Sequence, residues 1–208
     1  MGYEFLDFSS ALADVAGAHG GDADRRDRSR DVTMFRVARV LARGDQGLAR
    51  LLNISDWGLM LSIKLDLMLN DEVTVDLSES CSLTGYVVWR DADWCGLKLK
   101  EEIDAASLVR RLSEERHAPG ARQLRLPIEK PVVVTSELGI QIVRLRDISQ
   151  RGAKLVHDGR FHPGLLVKIQ IRSGVERRGV VRWSRDGIAG VQFTKLLSVD
   201  DLGSINSL

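Results

Sequence analysis

Two short strings of this chain match each other at a fixed separation. Asn53-Ile54-Ser55-Asp56-Trp57-Gly58 and Asp147-Ile148-Ser149-Gln150-Arg151-Gly152 both read [Asn/Asp]-x-Ser-x-x-Gly, 94 positions apart. The same offset pairs Gly85 with Gly179, Val87 with Val181, Trp89 with Trp183 and Gly96 with Gly190. Identities that stay in step through otherwise dissimilar sequence mark a duplication. The chain is therefore expected to fold as two like units of roughly 90 residues each, rather than as one larger domain. A unit of that size can bury one small core.

Within each unit the hydrophobic pattern is that of short strands. Apolar residues alternate with polar ones over Val32 to Leu41, and Gly44-Asp45-Gln46-Gly47 reads as the turn into Leu48 to Ile54. Gly58 to Ile63, Val73 to Leu77, Leu83 to Trp89 and Gly96 to Leu99 supply four more strands. Ile103, Leu108, Val109 and Leu112 then take helical spacing within Glu101 to Glu115, which Pro119-Gly120 stops. The second unit repeats the order, beginning at Val132 to Val134, with Glu137-Leu138-Gly139 as its first turn. It continues through Ile140 to Ile148, Ala153 to Val156, Leu166 to Ile171, Arg177 to Ser184 and Val191 to Thr194. Ser198 to Ile205 reads as a closing helix with Ser198 as its N-cap. Six short strands closed by a helix point to a mainly β fold of two tandem six-stranded antiparallel barrels, each followed by a helix. The expected domains are a flexible leader over 1–24, a first unit over 25–117 and a second over 118–208.

Composition excludes several classes. With 30 basic against 29 acidic residues the net charge is +1, so nothing global favours a polyanion, and no DNA or RNA partner is expected. Aromatic residues make up only 5% of the chain, few for a barrel that stacks single-stranded bases. Cys81 and Cys95 lack metal-ligand spacing and suggest neither a disulfide framework nor a zinc site. The four histidines are scattered. There is no nucleophile–base constellation and no glycine-rich phosphate loop, so no enzyme is expected. No apolar run is long enough to span a bilayer, and the first residues are not a secretory signal. These features together predict a cytoplasmic protein without membrane insertion and without a metal or cofactor.

Arg25-Arg26-Asp27-Arg28-Ser29-Arg30 stands just before the first barrel, and within it Arg26 and Arg30 form Arg-x-x-x-Arg. Arginine presents a planar fork of donors that suits phosphate or the acceptor edge of guanine and can stack on a base. Alone, such a run is a solvated basic linker, and the Asn-x-Ser-x-x-Gly string is an Asx-type turn. In order, Arg-x-x-x-Arg, 22 intervening residues and Asn-x-Ser-x-x-Gly on a six-stranded barrel resemble the PilZ family of cyclic di-GMP receptors. The Gly-x-Val-x-Trp strand and Gly96 fit the same resemblance, which covers both units.

The resemblance implies that Arg26 and Arg30 clamp the guanines and phosphates of cyclic di-GMP. It implies that Asn53 and Ser55 hydrogen-bond the ligand, and that Gly58 keeps the turn open to it. Trp57 would stack on a guanine or cover the barrel. Arg25, directly before the clamp, implies a stacked pair of ligands. In the second unit Asp147, Ser149 and Gly152 are intact, but the arginine segment is Arg122-Gln123-Leu124-Arg125, with Ala121 where the first arginine belongs. Arg122 and Arg125 are thus a clamp of the wrong spacing, and the second unit is expected to be a weak or non-binding site. The function implied is a cyclic di-GMP adaptor that acts through changed contacts between its domains or with an unidentified effector protein. The alternative is an interaction module of the same fold that has no ligand.

Overall fold

The computed structural model describes residues 32–118 and 122–208, and Asp31–Leu208 pack as one compact unit. Twelve strands close into two barrels. The first contains β1 (Val32–Ala42), β2 (Asp45–Ser55), β3 (Gly58–Ser62), β4 (Glu72–Ser78), β5 (Cys81–Asp91) and β6 (Trp94–Leu99). A helix, α1 (Ala105–His117), follows. The second barrel contains β7 (Leu126–Ser136), β8 (Gly139–Ser149), β9 (Gly152–Val156), β10 (Leu166–Arg172), β11 (Val175–Arg185) and β12 (Ile188–Phe193). Around each barrel the order is the same, β1-β2-β3-β6-β5-β4 and β7-β8-β9-β12-β11-β10. The two tandem six-stranded antiparallel barrels expected from the sequence are present.

Alternation along each strand turns one set of apolar side chains inward, and closure gives every strand two neighbours over part of its length. Ile54, Leu61, Val75, Val87 and Leu97 fill the first core, and Leu145, Leu155, Ile169 and Val191 the second. The irregularities are repeated as faithfully as the strands. Register shifts at Thr33/Arg36, Leu51/Asn53, Asp76/Ser78 and Val87/Trp89 recur at Pro127/Lys130, Leu145/Asp147, Gln170/Arg172 and Val181/Trp183. All four lie at the offset of the sequence repeat. Bulges bend a strand and re-aim side chains, so each barrel turns its wall at the same four places.

Four boundaries differ from the sequence expectation. The β1–β2 turn is Arg43-Gly44, at φ 53° and 77°. Positive φ at both central residues suits the right-handed twist of a hairpin, and Asp45 to Gly47 already belong to β2. Strand β7 starts at Leu126, six residues before the expected Val132. Pro127 and Pro131 fit here because this stretch pairs with β8, while pairing to β10 begins only at Val133. A proline is tolerated where one side of a strand has no partner. Helix α1 starts at Ala105 because Asp104 caps it, accepting from the Ser107 N–H at 2.8 Å. The closing helix expected over Ser198 to Ile205 is only a 3-10 turn at Asp200–Leu202. Ser198 and Asp201 do exchange backbone-to-side-chain bonds of 2.9 and 3.0 Å. The chain then leaves the helical path because its tail is held by the first barrel.

That hold is extensive. The Ile205 N–H donates to the Gln46 carbonyl at 2.8 Å, and Asp45 accepts from the Ser204 hydroxyl and the Asn206 N–H. Arg50 makes two bonds to Asp200, at 2.8 and 3.2 Å. Gly47 lies so close to Gly203 that a Cβ would stand 1.9 Å from its carbonyl oxygen. Leu48, a residue of the first barrel, is 2% exposed and belongs to the core of the second.

Candidate ligand-binding site

The motif string forms the end of β2 and its turn into β3. The register shift between Leu51 and Asn53 places Ile54 in the core and leaves Asn53 half-buried on the outer wall. Ser55 and Gly58 pair across the turn, with Asp56 and Trp57 at its tip. Ser55 is 5% exposed, and its hydroxyl donates to the Gly58 carbonyl at 3.4 Å. Ser149 does the same to Gly152 at 3.3 Å. In both barrels the motif serine therefore closes its own turn. In the second barrel the motif glycine is required by the neighbouring strand: a Cβ on Gly152 would stand 2.2 Å from the Val191 carbonyl oxygen.

The tip anchors the chain that leaves the barrel. Asp56 accepts from the Ile103 N–H through its carbonyl and from the Ala105 N–H through its carboxylate, both at 3.0 Å. The Trp57 carbonyl accepts from Leu99 at 2.9 Å, while about half of the residue remains exposed. Gln150 and Arg151 hold Leu197 and Phe193 in the equivalent way.

Cross-strand register extends the site beyond the motif. Asn53 lies opposite Met60, Met60 opposite Gly96, and Gly96 opposite Trp89. A Cβ on Gly96 would stand 2.0 Å from Trp89 Nε1, so the indole lies over the bare backbone of β6. The second barrel repeats the row as Asp147, Lys154, Gly190 and Trp183, with the corresponding approach at 2.2 Å. Gly96 with Trp89 and Gly190 with Trp183, identities of the sequence repeat, are thus pairs packed on each other. Met60 and Trp89 were not among the candidates read from the sequence, because strand pairing is what brings them beside Asn53.

The two rows differ in charge. The first contains no ionisable side chain. In the second, Arg125 donates to one oxygen of Asp147, and Lys154 lies 2.8 Å from the other. Arg39, itself paired with the buried Asp76 at 2.7 Å, donates to the Arg125 carbonyl at 3.0 Å. The motif carboxylate of the second barrel is thus neutralised from within. Arg122 reaches Glu79, at 3.9 Å. Arg122, Arg125, Ser149 and Gly152 line an open cleft of about 550 Å³ together with Arg151 and Arg182. Arg25, Arg26 and Arg30 lie outside the described residues.

A serine–histidine pair does occur away from this site. Ser184 Oγ lies 3.0 Å from His157 Nε2. His157 Nδ1 accepts from the Gly159 and Phe161 N–H groups at 3.0 and 3.3 Å, so the ring proton resides on Nε2. An imidazole in that tautomer cannot take a proton from the serine, and the ring, stacked on Phe161 at 4.8 Å, braces the β9–β10 loop. Burial pushes the Cys95 thiol up to about 12, leaving it unreactive. Among the described residues no three His, Cys, Asp or Glu side chains are grouped to hold a metal. No helix among them is long and apolar enough to cross a membrane.

Solved structures to which the chain is similar include PlzA of Borreliella burgdorferi in complex with c-di-GMP, 12% identical over 91% of this chain and 93% of that one, with a TM-score of 0.34. MrkH of K. pneumonia, as a c-di-GMP complex, is 12% identical over 84% and 91%, with a TM-score of 0.30. YcgR from Escherichia coli, in complex with c-di-GMP, is 13% identical over 78% and 76%, with a TM-score of 0.28. No curated protein matches the chain. The assignment rests instead on the PilZ domain, which matches twice, over residues 24–115 and 114–208. The chain belongs to the PilZ family, as two consecutive PilZ domains.

Proposed function

We propose that this protein is a cyclic di-GMP receptor that holds its ligand mainly on the first barrel and signals through contacts with an effector protein. The observation that carries the choice of barrel is the state of the motif residue. Asp147 is bound on both oxygens by Arg125 and Lys154, and a carboxylate so occupied is a poor acceptor for the donor edge of a guanine. Asn53 meets the neutral Met60 at the same position; its Oδ1 accepts from the Ile54 N–H at 2.8 Å, which leaves the amide NH2 to offer. The first barrel also follows the intact clamp, Arg26 and Arg30, in the sequence. The flat indole of Trp89 and the exposed Trp57 are aromatic surfaces suited to a purine. The inter-barrel contacts at Gly47, Leu48 and Arg50 favour output through a changed partner surface over reorientation of the two barrels.

Titration calorimetry tests this reading. Arg30→Ala removes a charge-assisted contact and is expected to weaken cyclic di-GMP binding ten- to a hundredfold, about 1.5–3 kcal/mol. Arg125→Ala is expected to leave affinity nearly unchanged. Equal binding by Arg30→Ala and the wild type would overturn the site. Two ligands per chain would support the stacked pair implied by Arg25, and one would remove it. A second reading, a module without ligand, is favoured by the motif serines, which both serve their own turns. Under it, wild-type protein gives no heat with cyclic di-GMP, and changing Arg26 and Arg30 together to alanine leaves partner binding intact.

A further inference from the structure

The face with which the first barrel holds the second is repeated on the second barrel and stands open there. On the first barrel it is the outer side of β1 and β2. Val37 packs against the second core, Arg39 donates to the Arg125 carbonyl, Leu48 is buried to 2% exposure, and Arg50 pairs with Asp200. Arg39 lies opposite Leu48, and Val37 opposite Arg50. Moving 94 positions along the chain gives Pro131, Val133, Ile142 and Arg144, in the same register on β7 and β8. Ile140 and Ile142 there are 74% and 77% exposed. A buried leucine in one copy thus corresponds to a fully presented isoleucine in the other, on a surface whose equivalent is already an interface. Exposed apolar clusters of this kind mark association sites.

We infer that this β7–β8 face joins a second copy of the same chain through a two-fold contact. The element that covers the first face, the tail after Asp200, is in each chain already seated on its own first barrel. Gln141 also replaces Gly47, so the close backbone approach made by Gly203 has no room to recur. The same face of another copy is apolar, exposed and matched in size, and like patches meet across a two-fold axis. Charge does not oppose the contact. Arg144 and Arg146 at its rim both pair with Glu129, at 3.3 and 3.6 Å.

The test is the mass of the full chain by sedimentation equilibrium over rising protein concentration, without cyclic di-GMP. The wild type is expected to shift from monomer to a doubled mass. Ile142→Asp is expected to stay monomeric at every concentration, and Ile142→Val to dimerise like the wild type. Ile142 is exposed, so the aspartate variant should keep its fold, which its near-UV circular dichroism checks. A wild type that stays monomeric throughout, or an Ile142→Asp variant that still dimerises, would overturn the inference. It does not depend on ligand binding, so failure of the receptor reading would leave it standing.

Discussion

Single side chains account for much of what repeats between the barrels. Ser55 and Ser149 are explained by turn closure, Gly152 by close strand packing, and Gly96 by the indole above it. Those roles need no ligand, so the recurrence of such residues in Asp147-x-Ser149-x-x-Gly152 does not by itself imply a second working site. The motif was legible in the sequence because its spacing is local. The neutralisation of Asp147 was not, because Lys154 becomes its neighbour only once β8 and β9 are paired in register. His157 yields a prediction at this scale. Burial holds its pKa below the ordinary value, since charge is disfavoured there. As the pH falls below about 6.5 the unfolded chain takes up a proton that the folded chain resists, so stability declines until the folded ring also titrates. Urea melts between about pH 7 and about pH 5 are expected to show this decline in the wild type and a smaller one in His157→Gln.

Among the elements, the strands were the most legible, because alternation over five or more residues leaves little choice. Terminal boundaries were less so. The prolines of β7 are harmless only because that segment has a single partner strand. The closing helix fails because Asp45 and Gln46, more than 150 positions earlier, take the donors of its last turn. Neither fact is visible in a local window. Helix α1, in contrast, was found nearly in full, since its cap and apolar face lie within its own residues. Its attachment to the motif turn was unforeseen. Asp56→Ala removes the acceptor for the Ala105 N–H and is expected to destabilise the first barrel by about 1 kcal/mol. Amide exchange should localise the loss to the first turn of α1, and an effect spread evenly over the barrel would contradict the anchoring role.

For the whole molecule, the contact between barrels rests on a place where no side chain fits. Gly47→Ala would set a methyl against the Gly203 carbonyl, where neither backbone can easily yield, at a cost of about 1–3 kcal/mol. Because Leu48 of the first barrel is built into the core of the second, the wild type is expected to melt in one cooperative transition. In Gly47→Ala that transition should broaden or split in calorimetry. A single, equally sharp transition at the wild-type midpoint would mean that the barrels were never coupled there.

The leucine that the first barrel supplies to the second core also sets an order of assembly. The first barrel completes its core from its own residues, all of which precede the second barrel in the chain. The second barrel lacks one core residue until the β1–β2 hairpin is in place to supply it. During synthesis the first barrel can therefore finish while the rest of the chain is still emerging, and then serve as the surface on which its successor closes. The dependence runs in one direction only, so the two copies, alike in fold, are unequal in how they come to be folded.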